Sequence, residues 1–329
     1  MEELPVIDVA PLLGGEGDAA AVAAEIDAAC RRHGFFYVVG HGVPEALCVD
    51  LEAQARALFA LPAEAKERVA MRHGGRAWRG WFPLGGELTS GRPDGKEGFY
   101  LGADLPPDHP AVRAGTPLHG PNLLPAELPG LGAVVDAYLA ALTDLGHALV
   151  GGLALALGLE RDWFARHLTA DPLVLLRLFR YPPADPGDDG WGVGEHTDYG
   201  LLTILRQDRH GGLEVHAPSG WIEAPPIPGS FVCNLGDMLE RMTGGRYRST
   251  PHRVRNTSGA DRISIPFFFD PGWDADVRPV PGLGDDPLPA FRPRWDGQDP
   301  LAFEGTYGEY LLAKVSKVFP ELRTEVLDR

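Results

Sequence analysis

Apolar and polar positions along the chain change their period repeatedly. Residues 4 to 9 form a short extended segment, stopped by Pro11 and the Gly14-Gly15 pair. From 18 to 33, Val22, Ile26, Ala29 and Cys30 recur at helical spacing, which predicts an amphipathic helix ended by Gly34. The run Phe35-Phe36-Tyr37-Val38-Val39 is aromatic and β-branched and reads as a strand, closed by Gly40 and Gly42. Helical spacing returns from 44 to 60, and Pro62 suits the first position of the next helix.

Between 74 and 125 Gly and Pro dominate, with short extended pieces such as 97 to 101. A linker and a lid of irregular loops both fit that composition, and Trp78, Trp81, Phe82, Phe99 and Tyr100 favour a packed lid. Residues 130 to 157 form a long Ala- and Leu-rich helical run, and a shorter helix is expected from 160 to 168. Beyond Pro172 the pattern turns to short runs between Gly, Pro and Asn: 173–181, 201–205, 213–216, 221–223, 230–235, 253–256 and 262–269. Many short strands at such spacing predict an antiparallel sandwich or jelly roll. Residues 303 to 319 return to helical spacing. The expected fold is a mainly β core with flanking α-helices. An N-terminal region, 1–125, packs on a second part, 126–329, that holds the long helix, the β-core at about 172–275 and the C-terminal helix, all as one compact unit.

Composition narrows the function classes. At 329 residues and 44% hydrophobic content the chain can bury a large core. A formal charge of −16 with no run of basic residues argues against nucleic acid. Cys30, Cys48 and Cys233 are an odd number without C-x-x-C spacing, so reduced thiols are expected rather than a disulfide framework or zinc cluster. The start Met1-Glu2-Glu3-Leu4-Pro5 is acidic where a signal peptide is basic. The apolar stretch from 145 to 159 is interrupted by Gly146, Gly151, Gly152 and Gly158 and reads as too short to span a bilayer. The expectation is a cytoplasmic protein acting on a small molecule, with no membrane and no obligate protein partner.

The chemistry concentrates in His196-Thr197-Asp198, His252 and Arg262-Ile263-Ser264. In an extended segment i and i+2 point to the same side, so H-x-D sets an imidazole beside a carboxylate. This is the one H-x-D or H-x-E among eleven histidines. Alone, the triplet is equally compatible with a structural histidine bonded to a nearby Asp, and His252 alone reads as structural. Together they form the two-His, one-carboxylate set of non-haem iron(II) oxygenases. Zinc accepts the same ligands. Arg262 and Ser264 share a strand face in a run too apolar for a solvated edge, which favours a pocket for a small dianion beside the metal.

The chain resembles the iron(II)- and 2-oxoglutarate-dependent dioxygenases of the isopenicillin N synthase-like group. The resemblance rests on Leu4-Pro5-Val6-Ile7-Asp8, on 34–43, on Arg177-Leu178-Phe179-Arg180-Tyr181-Pro182-Pro183, on 194–205, on Asn234-Leu235-Gly236-Asp237, on 249–254 and on 262–268. It implies a double-stranded β-helix with an N-terminal helical and loop region and a C-terminal helix. It implies Fe(II) on His196, Asp198 and His252, with O2 and 2-oxoglutarate as cosubstrates. Arg262 and Ser264 would grip the distal carboxylate of 2-oxoglutarate, and Tyr181 would contact the cosubstrate or the substrate. Many plant members carry Asn where this chain has Phe179. The reaction implied is hydroxylation of a small-molecule metabolite with release of succinate and CO2. Alternatives are a 2-oxoglutarate-independent oxidase like isopenicillin N synthase, ethylene formation from 2-oxoglutarate, and a non-catalytic binding protein on the same scaffold.

Period-2 logic turns Arg177, Phe179 and Tyr181 to one side, where Arg177 would bind a carboxylate or form a structural ion pair. Arg79, Trp81, Lys96, Phe99, Tyr199 and Phe268 complete the candidate substrate contacts, although Lys96 and Arg79 read more readily as solvated or ion-paired side chains. His41 reads as a turn residue, and Asn234 and Asp237 as turn-forming, hydrogen-bonding residues behind the metal strand.

Overall fold

In the computed structural model of this chain, the structure describes residues 2–183, 191–283 and 299–320, together with 294, 297, 323 and 324. The N-terminal part contains β1 (Val6–Asp8), α1 (Ala19–Arg32), β2 (Phe35–Val39), α2 (Glu45–Phe59) and α3 (Ala63–Arg68). These are followed by β3 (Gly80–Phe82), β4 (Glu97–Gly102), α4 (Pro110–Arg113), α5 (Leu131–Ala156) and α6 (Trp163–His167). The β-rich part contains β5 (Leu173–Tyr181), β6 (Val193–His196), β7 (Leu202–Gln207), β8 (Leu213–Ala217), β9 (Gly220–Glu223) and β10 (Phe231–Leu235). It ends with α7 (Asp237–Met242), β11 (His252–Val254), β12 (Arg262–Asp270) and α8 (Tyr307–Val318).

Local rules account for most boundaries. The Asp18 carboxylate accepts from Ala20 N at 2.8 Å and caps α1. At its other end Gly34 N reaches Ala29 O at 3.1 Å with φ +65°, the left-handed position that favours glycine. Thr306 and Glu309 form a reciprocal capping box that starts α8. Pro62 precedes α3 as its cap residue rather than occupying its first turn.

The strands form an eight-stranded sheet, ordered β1-β2-β10-β7-β12-β5-β4-β3, and a four-stranded sheet, β6-β11-β8-β9. This is the expected jelly-roll core. The N-terminal strands extend the larger sheet at both edges: β2 pairs with β10 and β4 pairs with β5. Segment 74–125 is therefore not a linker but a packed part of the larger sheet, because β3 and β4 inside it are ladder strands with every residue buried.

The glycines of α5 also have a different role from the one expected. The helix runs unbroken for 26 residues and is, by length and composition, apolar enough to cross a membrane. Here it packs against α1, α2, β7 and β12, with Leu142, Leu145, Leu149 and Leu153 buried. A Cβ at Gly146 would meet the Phe269 ring at 2.5 Å, and one at Gly152 would meet Leu12 at 2.8 Å. Gly146 lets the helix approach the sheet closely and Gly152 lets it approach Leu12 and α1, and neither interrupts the helix.

A Cβ at Gly34 would lie 2.2 Å from Arg248 O. Gly34→Ala is therefore expected to destabilise the fold by roughly 1–3 kcal/mol. The expected readout is a lower Tm in thermal unfolding, and an unchanged Tm would contradict the packing described.

Candidate active site

Register brings the two histidines together. In the smaller sheet His196 at the end of β6 stands directly opposite His252 at the start of β11, with ring centroids 4.2 Å apart. Asp198 follows in the turn towards β7, where its backbone O accepts from Asp237 N at the start of α7, at 2.8 Å. One ligand atom from each of His196, Asp198 and His252 lies within 4.8 Å of the others, a group able to hold a metal ion. His252 Nε2 is 3.8 Å from Asp198 Oδ1.

The surroundings orient each donor. His196 Nδ1 lies 2.8 Å from Gly194 O, and His252 Nδ1 lies 3.2 Å from Thr250 O. Donation from Nδ1–H to these carbonyls leaves Nε2 with its lone pair free on both rings. Asp198 Oδ2 accepts from Asn234 Nδ2 at 2.6 Å and from Thr203 Oγ1, leaving Oδ1 towards the histidines. Burial, reinforced by His252, lowers the pKa of His196 and favours its neutral form. Burial opposes ionisation of Asp198, but His252, His196 and the bonds from Asn234 and Thr203 outweigh it, and its pKa is lowered. Two imidazoles and one carboxylate are the donor chemistry of a divalent iron site.

Beside this group lies a cavity of about 110 Å³ enclosed by both sheets. Arg262, Ser264, Pro266 and Phe268 line it from β12, and Leu175, Arg177, Phe179 and Tyr181 line it from β5, as the expected period-2 alternation requires. Tyr181 stands opposite Arg262 in the ladder. Arg262 is fully buried. Its Nη2 donates to Gln207 Oε1 at 3.0 Å, while among the described residues Nε and Nη1 have no hydrogen-bond partner. A guanidinium held by a neutral amide, with two orphaned nitrogens, fits the carboxylate of a bound dianion.

Of the proposed substrate contacts, Arg177, Phe179, Tyr199, Phe268 and Lys96 line the cavity. Arg79, Trp81 and Phe99 do not, which corrects the expectation. Arg79 is buried away from it, donating to Leu101 O and Leu118 O. Trp81 Nε1 donates to Glu97 Oε2 at 2.9 Å. Phe99 alternates with Tyr100 along β4, and Tyr100 is the residue that faces the cavity. Burial opposes the charge of Lys96, but Asp94 and Glu87 outweigh it and raise its pKa. Asn234 sits within strand β10 rather than in a turn. His41 is a turn residue as expected, with Nδ1 accepting from Val43 N at 3.1 Å.

Several lining residues escaped the sequence reading: Glu87, Tyr100, Asp270, and Leu311, Val315 and Val318 on α8. The apolar residues of α8 recur at helical spacing, but that pattern does not reveal what the helix covers. Burial pushes the Asp270 carboxyl up to about 7, against the stabilising bonds from Tyr307 and Leu201 N.

Comparison with known proteins agrees with this geometry. Residues 4–127 match the family described as non-haem dioxygenase in morphine synthesis N-terminal. Residues 171–271 match the 2OG-Fe(II) oxygenase superfamily. The chain is 46% identical to a probable iron/ascorbate oxidoreductase of Dictyostelium discoideum, covering 99% of this chain and 98% of the relative. It is 37% identical to a 1-aminocyclopropane-1-carboxylate oxidase of Dictyostelium mucoroides, over 98% and 96% of the two chains. Identity to a homoarginine-6-hydroxylase of Oryza sativa subsp. japonica is 38%, over 84% and 88%. The solved structure of a full-length Neurospora crassa protein in complex with alpha-KG aligns with a TM-score of 0.79 at 26% identity, over 95% and 96% of the chains.

Asn234→Ala would remove one of the two side-chain donors that hold the far oxygen of Asp198. Affinity for Fe(II), measured by competition with a chelator, is expected to fall roughly 10–100-fold. Unchanged affinity would mean that the amide does not orient the carboxylate.

Proposed function

This chain belongs to the 2OG-Fe(II) oxygenase superfamily, and from that membership we propose that it hydroxylates a small-molecule metabolite, with His196, Asp198 and His252 holding the iron. It is a 2-oxoglutarate/Fe(II)-dependent oxidoreductase by family. Hydroxylation is the part proposed, since the relatives' names span hydroxylase and oxidase. The observation that carries the reading is the convergence of the three ligand atoms within 4.8 Å beside a buried arginine with free donors.

Each residue has a task in this reading. The two imidazoles and Oδ1 of Asp198 would hold the iron. Arg262 and Ser264 receive the distal carboxylate of 2-oxoglutarate. Tyr181, opposite Arg262, closes the same end of the cavity. When bound, iron and 2-oxoglutarate supply the oxidising power, using O2 and releasing succinate and CO2. Leu311, Val315 and Val318 of α8 exclude water along one wall. Phe179, where many plant members carry Asn, makes this part of the cavity apolar. The acidic overall charge, −16, suits a small-molecule enzyme without a nucleic-acid partner, and a cytoplasmic setting is part of the same proposal.

Anaerobic addition of Fe(II) and 2-oxoglutarate is expected to produce a visible charge-transfer absorption band, and admission of O2 should yield succinate. His196→Ala should lose both band and succinate. A variant that keeps them would remove the assignment, and product carrying a new double bond instead of a hydroxyl would replace hydroxylation with desaturation.

A further inference from the structure

We infer that the roof of the cavity binds the charged end of an α-amino acid substrate, its carboxylate on Arg177 and its ammonium beside Glu87. This inference rests on the oxygenase reading above and names the substrate class for that site.

The Arg177 guanidinium lines the cavity with its side chain only 11% exposed. Among the described residues it makes no hydrogen bond, and its Nε is buried without a partner. The closest carboxylate oxygen is Glu87 Oε1, at 3.8 Å from Nη1, too far for a hydrogen bond. Its Cζ lies 3.6 Å from the Tyr100 ring centroid and 5.1 Å from that of Phe268. The aromatic faces hold the plane of the guanidinium but satisfy none of its N–H groups. Its strand neighbour Arg180 shows the alternative, being paired with both Glu97 and Asp261. A buried guanidinium left this way is costly, and a carboxylate arriving through the cavity would supply its missing bonds.

Charge selects what accompanies that carboxylate. Arg177 and Lys96 are matched in the roof by Glu87 and Asp94. Glu87 Oε1 accepts from Tyr100 OH, and Oε2 is 2.9 Å from Lys96 Nζ. A carboxylate offers about four acceptor sites, so Glu87 retains capacity for one more donor. A simple carboxylic acid would leave the roof with one buried negative charge in excess, and a simple amine would leave one positive charge. A zwitterion adds none. The short gap between Arg177 and Glu87 suits opposite charges carried on one carbon, as in an α-amino acid. The side chain of such a ligand would extend past Phe179 and Phe268.

The test uses the full chain with Fe(II) and 2-oxoglutarate and three sets of probes. These are the proteinogenic L-amino acids, their deaminated carboxylic acids, and their decarboxylated amines. Succinate release is expected to rise with at least one amino acid and with neither of its two partial analogues. The same amino acid should perturb the anaerobic absorption band. Arg177→Met should raise its KM roughly 100-fold, Arg177→Lys should recover part of that loss, and Glu87→Gln should raise KM about tenfold. The inference is overturned if acids or amines act as well as amino acids, if no amino acid acts, or if Arg177→Met leaves KM unchanged. Absence of both the band and succinate would instead overturn the oxygenase reading itself.

Discussion

An ionised carboxylate removed from water needs compensation on every side, and Asp198 sets that requirement for the whole centre. Its charge is supported by two imidazoles from the smaller sheet, an amide from β10 and a hydroxyl from β7. Those contributors come from separate parts of the chain and from both sheets. The donors meet only when the roll closes, so metal chemistry and fold share one structural condition. Much of the surrounding register follows: His196 must face His252, and β10 must lie beside β7 for Asn234 and Thr203 to reach the same oxygen.

The second requirement is separation of charge. Arg262 is steadied by Gln207, whose other amide end is tied to Ala224 O at 3.1 Å. A neutral acceptor positions the guanidinium without cancelling it, so its charge stays available. The roof follows a different rule, with Lys96 fully engaged by carboxylates and Arg177 left open. One cavity thus has an anion-binding end and a charge-matched end, with Phe179 between them along β5.

The parts of this arrangement set by local periodicity were legible in the sequence. Alternation along β5 and β12 identified the inward faces that carry Arg177, Phe179, Tyr181, Arg262 and Ser264. The H-x-D spacing identified a candidate ligand pair, and its combination with His252 supplied the third member. Where only tertiary pairing decides, the reading missed. Phe99 and Tyr100 are both aromatic in a short strand, and which one faces inward depends on how β4 pairs with β5. Arg79 and Trp81 were read as cavity contacts because charge and aromaticity carry no direction. Strand β6 went unread because Val193-Gly194-Glu195-His196 has a weak strand pattern, yet its pairing with β11 delivers a ligand. The contribution of α8 to the cavity wall depends on contacts distant in sequence.

The continuity of the larger sheet limits how this protein can change through descent. Strands β2 and β4 cover the flanks of β10 and β5, so the oxygenase core has no ready-made rim of its own. Lineages inheriting this architecture would be expected to keep both ends of the polypeptide together, and to diversify by altering the roof and the helix along one cavity wall. Chemistry and specificity could then drift apart while the scaffold is passed on whole.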